Sequence, residues 1–157
     1  MQIIYKTASI LDAAESYIIH GCNAQGKMGS GVAKVLFDRY PNVRTLYLAA
    51  YERARVDGKR FLGTIHYCPN EPHNVINAIT QDGYGYDGRL YADYEAIAEC
   101  FLALDAIAPQ GSMQAVAMPL VGCGLAGGSW PLVSEIIERT STNYQPVVYV
   151  PDGKVPS

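Results

Sequence analysis

The chain is predicted to fold as a three-layer α/β/α unit around a mixed, largely parallel sheet of about six strands. Strand-like and helix-like segments follow one another in the order ββααββαβαβ, the pattern of a sheet covered by helices on both faces. The run Tyr17–Gly21 is nearly all apolar, as a strand buried on both sides must be. Two glycine-rich turns, far apart in sequence, each carry the chain from a strand into a helix. Sheets of this kind bind ligands at the carboxyl ends of their strands, where both turns fall.

The elements follow from local chemistry. Gln2–Lys6 and Tyr17–Gly21 read as short strands. A helix should run from Ser30 to Tyr40, where Pro41 stops it. Asn42 is placed to cap the next, Val43–Arg55, which Asp57-Gly58 ends. Thr64–Cys68 and Val75–Ile79 are strand-like, joined through Pro69-Asn70-Glu71-Pro72. The polar, aromatic and glycine-rich stretch Gln81–Arg89 must be a loop. Tyr94, Ile97, Ala98, Phe101, Leu104 and Ala108 recur at helical spacing and mark an amphipathic helix. Ala115–Met118 is a strand, Trp130–Arg139 a helix with Pro131 in its first turn, and Pro146–Val150 the last strand. Pro151–Ser157 reads as a loose tail.

Composition narrows the function. A length of 157 residues suits one domain spanning residues 1–157, and 49% hydrophobic with 17% charged residues is a globular balance. The net charge of −3 makes binding of nucleic acid by bulk charge an unfavoured reading. The densest basic cluster, Arg53, Arg55, Lys59 and Arg60, reads as a solvated helix end and turn. Cys22, Cys68, Cys100 and Cys123 lie far apart with no C-x-x-C pair, and three histidines complete a poor zinc inventory, so no metal is expected. No leader or membrane-spanning stretch is read, and a reducing, cytoplasmic setting is expected for a monomer.

The turns carry the functional signal. The first is His20-Gly-Cys-Asn23-Ala-Gln-Gly26-Lys-Met-Gly29-Ser-Gly31-Val-Ala33; the second is Pro119-Leu-Val-Gly122-Cys-Gly124-Leu-Ala-Gly127-Gly-Ser-Trp130. Glycine lets backbone approach a ligand closely, and a helix N-terminus with free amides receives anions. Two such loops could grip the ends of a diphosphate. Gly122, Gly124 and Gly127 also fit the dinucleotide fingerprint G-x-G-x-x-G. That fingerprint lies in the last third of the chain, where no second nucleotide-binding half can follow, so a dehydrogenase is disfavoured. No Gly-Lys-Ser/Thr sequence is present, which removes a P-loop.

These two stretches resemble the ligand loops of macrodomains, and the element order matches along nearly the whole chain. Among macrodomains the likeness is greatest to the small stand-alone bacterial, phage and yeast members linked to ADP-ribose 1″-phosphate. The resemblance implies binding of ADP-ribose or ADP-ribose 1″-phosphate without a cofactor, and hydrolysis of the latter to ADP-ribose and phosphate. Two other activities stay open: a non-enzymatic ADP-ribose reader or sponge, and a hydrolase acting on ADP-ribosylated protein or nucleic acid.

Residue by residue, the resemblance assigns Asn23 to the distal ribose; an Asx turn holding its own loop is the alternative, and the two roles can coexist. It assigns the two phosphates to the main-chain N–H groups of Ser30, Gly31 and Val32 and of Gly122, Cys123, Gly124, Leu125 and Ala126, and counts Cys22, Met28, Gly29 and Pro119 among the other ligand-binding residues. Thr80, the Thr of the family's strand-end motif, is counted among the ligand-binding residues, and the loop Gln81–Arg89 with Tyr91, Asp93 and Tyr94 should overhang the distal ribose. At the adenine end, Ser9 stands where many members carry Asp or Asn, while Ile10 can still pack on the base. His20 is the candidate acid for the leaving ribose oxygen, or else a histidine ending a buried strand. Asp82, Asp87 and Asp93 are candidate bases, with solvated loop carboxylates as the alternative, and Asp93 is carried with His20 and Asn23 as the catalytic set. Arg89 could meet a terminal phosphate. Glutamine at position 81 and Ala126 stand where hydrolases with a lysine nucleophile carry Lys and Asp, which disfavours that mechanism.

Overall fold

The computed structural model describes residues 1–157. Its strands are β1 (Ile4–Lys6), β2 (Tyr17–Asn23), β3 (Ile65–Cys68), β4 (Asn74–Gln81), β5 (Ala115–Met118) and β6 (Gln145–Tyr149). The helices are α1 (Gly31–Arg39), α2 (Asn42–Asp57), α3 (Tyr94–Ile107) and α4 (Trp130–Thr140). One six-stranded sheet runs in the order β1-β6-β5-β2-β4-β3, and only β3 is antiparallel to its neighbour. The predicted three-layer, largely parallel architecture is the one observed. No helix is long and apolar enough to cross a membrane.

Helices cover both faces because the central strands are apolar on both. Ile18 and Cys22 of β2 pack with Leu36, Val43 and Tyr47 from α1 and α2. On the other face, Ile19 joins Ile97, Phe101 and Leu104 of α3 and Val133 and Ile137 of α4. Each fully buried aliphatic side chain contributes on the order of 1.5–3 kcal/mol, so these two layers carry the fold.

Several boundaries differ from expectation, each for a local reason. β2 and β4 run on to Asn23 and Gln81, with an irregular register between Cys22 and Asn23. Ile10–Asp12 forms an unanticipated 3₁₀ turn, capped by the Ser9 hydroxyl accepting from Leu11 N at 3.3 Å. Asn42 does not cap α2. It is the first helical residue, its amide donating to Pro69 O at 3.0 Å and its carbonyl accepting from Asn70 at 2.7 Å, so it ties α2 to the β3–β4 turn.

Candidate ligand cleft

A cleft of about 660 Å³ opens over the carboxyl ends of β2, β4, β5 and β6, a usual size for a small-molecule site. Both glycine loops line it. The first contributes Cys22, Asn23, Lys27, Met28, Gly29, Ser30, Gly31, Val32 and Ala33; the second contributes Pro119 through Ala126. Gln81, Tyr84, Gly85 and Tyr86 overhang it, and Tyr149 and Pro151 close one end. Lys27 is the single charged side chain in this lining.

The first loop is held by one amide. Asn23 Oδ1 accepts from Gln25 N (3.0 Å), Lys27 N (3.3 Å) and Tyr47 Oη (2.8 Å), while Nδ2 donates to Lys27 O. The Asx turn is therefore present. Gln25 extends the scaffold to the overhanging loop, donating to Asp82 (2.6 Å) and accepting from Gly83 N (2.7 Å). At the head of α1 the amides of Ser30, Gly31, Val32 and Ala33 donate to no protein acceptor, as the first turn of a helix requires.

The second loop is folded mainly by its own backbone. Gly128 N donates to Gly122 O at 2.7 Å, Gly127 N to Gly124 O at 3.1 Å, and Ala126 O accepts from Tyr91 N and Ala92 N. The amides of Gly122, Gly124, Leu125 and Ala126 are left unengaged. One expectation is corrected here: only α1 presents its N-terminus to the cleft. Ser129 and Trp130 at the start of α4 lie outside the lining, and Trp130 is buried with its indole donating to Tyr5 at 2.9 Å. What the second loop offers is turn amides.

Five predicted site residues fall outside the lining. His20 is fully buried beneath the cleft, its Nε2 lying 2.6 Å from Asn77 Oδ1. Asn77 spends its amide on Val43 O at 2.9 Å, so Nε2–H is the donor to Oδ1 and Nδ1 is left without a partner. Burial holds the imidazole neutral, lowering its pKa from 6.5 to about 4. A neutral histidine sealed from the cleft cannot protonate a leaving group there, which corrects the acid role. Asp93 instead caps α3, accepting from Ala96 N at 2.9 Å. Ser9 caps its 3₁₀ turn, and Ile10 is buried in the core. Thr80 is buried below Gly21: a Cβ at Gly21 would lie 2.6 Å from the Thr80 hydroxyl, which has no hydrogen-bond partner.

The other polar candidates are engaged elsewhere or neutral. Asp82 is taken by Gln25, and Asp87 accepts from Tyr91 Oη at 2.9 Å. Exposed Arg89 lies 3.4 Å from Asp87, outside the lining. Burial raises the Cys22 thiol well above its ordinary range and Cys123 to about 11, so both stay protonated near neutral pH. No cluster of His, Cys, Asp and Glu is arranged to hold a metal. Gln81, Tyr84 and Tyr86 line the cleft from the loop expected to overhang it, Tyr91 and Tyr94 fall outside the lining, and sequence reasoning passed over Lys27 and Tyr149. Lys27 lay in plain view inside the first loop, whereas Tyr149 reaches the cleft only through the parallel pairing of β6 with β5.

Residues 19–137 match the Macro domain family. The chain belongs to that family. It is 27% identical to a Mycobacterium tuberculosis DNA ADP-ribosyl glycohydrolase, over 96% of this chain and 43% of that protein. It thus spans less than half the length of that relative. It is 23% identical to a Debaryomyces hansenii ADP-ribose 1″-phosphate phosphatase, over 89% of this chain and 90% of that one. A solved macrodomain protein from Streptomyces coelicolor superposes with a TM-score of 0.76 at 28% identity, covering 95% of this chain and 99% of that chain.

Proposed function

We propose that the cleft binds the ADP-ribosyl group, with the diphosphate on the two rows of unengaged amides and Asn23 beside the distal ribose. The observation that carries this reading is electrostatic. A chain of net charge −3 presents at this cleft eight free backbone donors, those of Ser30–Ala33 and of Gly122, Gly124, Leu125 and Ala126, one lysine and no carboxylate. Backbone amides satisfy phosphate oxygens without a mobile cation, and a helix N-terminus adds its dipole. The two named relatives carry out different reactions, and the ADP-ribosyl group is what those reactions share.

Hydrolysis of ADP-ribose 1″-phosphate to ADP-ribose and phosphate is the second reading. It is favoured because the Debaryomyces phosphatase matches over nearly its whole length, whereas the glycohydrolase extends well beyond the match. Gln81 in the lining, in place of a lysine, points the same way. In this reading the free amides keep the diphosphate, Asn23 and Lys27 are the groups that meet the terminal phosphate, and His20 and Asp93 support the elements beneath.

Calorimetry with ADP-ribose tests the first reading, and phosphate release from ADP-ribose 1″-phosphate tests the second. Binding is expected in the micromolar range, about −8 kcal/mol. Gly124→Glu should abolish it with the melting temperature unchanged, because nothing lies within 4 Å of a Cβ added there, while its carboxylate brings like charge to the diphosphate. Retained binding in that variant would move the ligand elsewhere. Absence of phosphate release from a parent protein that binds removes the second reading and leaves a reader or a hydrolase of ADP-ribosylated protein or nucleic acid.

A further inference from the structure

A second cavity, of about 550 Å³, lies between α2 and the edge strand β3 and shares no lining residue with the ligand cleft. Its floor is a stripe of small and apolar side chains on α2, Leu46, Ala50 and Ala54 among them, at helical spacing. Three cations face it, Arg53, Lys59 and Arg60, against one carboxylate, Asp57. Arg60 is bridged to Glu99 at 2.9 Å, whereas Arg53 and Lys59 are exposed and form no ion pair. This is a positive groove on an acidic chain.

The sheet wall of the groove is open. β3 pairs with β4 alone, from Ile65 opposite Ala78 to Cys68 opposite Val75. Ile79 N donates to Thr64 O at 2.9 Å, so the hydrogen-bonded pairs recur at His66 and Cys68. Ile65 and Tyr67 therefore turn their N–H and C=O groups off the sheet edge. Both line the groove, and Tyr67 is half exposed.

We propose that this groove docks an extended acidic peptide, which adds a strand to β3 while its carboxylates meet Arg53 and Lys59. An unpaired edge supplies main-chain donors and acceptors in register, and side chains on alternate residues supply specificity. A free phosphate or a nucleic acid would use the cations and leave the edge idle. That difference separates the peptide from other anions.

The test is fluorescence anisotropy of the full chain with a labelled octapeptide alternating valine and glutamate. Controls are the valine–lysine counterpart and an oligothymidylate of equal charge to the acidic peptide. The acidic peptide should saturate at tens of micromolar and the lysine peptide should not bind. Arg53→Glu with Lys59→Glu should weaken the acidic peptide at least tenfold. Tyr67→Pro removes an amide that points away from the sheet, so it should keep the melting transition and also weaken binding at least tenfold. If Tyr67→Pro unfolds the chain, an octapeptide N-methylated at alternate residues gives the same reading by failing to bind. Equal binding of the oligothymidylate, indifference to both edge changes, or no binding of the acidic peptide would each overturn the proposal.

Discussion

The two glycine loops face the same cleft and are built by different means. Asn23 organises the first, its side chain taking three donors and giving one, with Tyr47 buttressing it from α2. The second has no such organiser; its shape comes from glycine amides and carbonyls folding on one another and on Tyr91 and Ala92. The difference predicts where each is fragile. A loop built on a side chain fails when that side chain goes and tolerates change at its open glycines. A loop built on backbone fails when a Cβ intrudes.

Gly128→Ala breaks the comparison most severely. Its Cβ would press inside van der Waals contact of Gly122 O, the acceptor of Gly128's own amide, with Ala92 Cβ 3.2 Å away. Neither neighbour is a flexible side-chain end. The variant should lose about 3 kcal/mol of stability, the upper range for overpacking, and its ligand binding as well. Gly29→Ala in the first loop meets nothing within 4 Å and should melt like the parent. Denaturant curves of the two variants side by side check the contrast.

The strand that feeds the first loop carries a pH signature. His20 is neutral in the folded state, with a pKa lowered from 6.5 to about 4. Above 6.5 neither state binds the proton, so the group makes no difference there. Between 6.5 and about 4 the unfolded chain takes up the proton and the folded chain resists, so stability falls with pH by about 3 kcal/mol. His20→Gln should flatten that part of the profile relative to the parent. Urea titrations at pH 7 and pH 4.5 on both proteins measure it, and an unchanged slope would show that the imidazole is not sealed.

The two loops also divide what could be read from sequence. Spacing and apolar periodicity were enough for the sheet order of layers and for the loops at the strand ends, because burial on two faces leaves few other patterns. His20 and Asp93 were misread for a common reason. A polar residue beside a glycine loop looks alike whether its side chain points up into the cleft or down into the core, and strand alternation puts His20 with Ile18 and Cys22, facing α2. The parity of β2 was available, but its decisive partner, Asn77, is 57 residues away. The main-chain amides of Gly122 through Ala126 were assigned to the phosphates from the loop motif, but that Cys123 N is spent on Leu120 O while the other four are free is a property of the folded backbone, and Lys27 went unassigned.

Asn23→Ala removes the organiser of the first loop. If the side chain also meets the ribose, ADP-ribose affinity should fall about ten- to a hundredfold, roughly 1–3 kcal/mol, with a lower melting temperature because four hydrogen bonds within the protein go too. Calorimetry on the folded variant separates the two losses, and undiminished affinity would remove Asn23 from the ligand site.

Tyr47→Phe is the smallest and sharpest change. The hydroxyl lies 2.8 Å from both Asn23 O and Asn23 Oδ1, and the ring is fully buried between Phe61 and the loop. Phenylalanine fills the same volume, so packing is retained and only the buttress is lost. The cost should be about 1 kcal/mol of stability. Burial raises the pKa of this hydroxyl well above that of an ordinary tyrosine, so it stays protonated and the cost should be constant from pH 6 to pH 9. Affinity should drop only to the extent that Asn23 loses its orientation, a few-fold at most. A loss as large as that of Asn23→Ala would mean that Tyr47 sets the loop and Asn23 follows. No loss at all would mean that the main-chain turn from Asn23 to Lys27 holds without support from α2, and the first loop would then resemble the second.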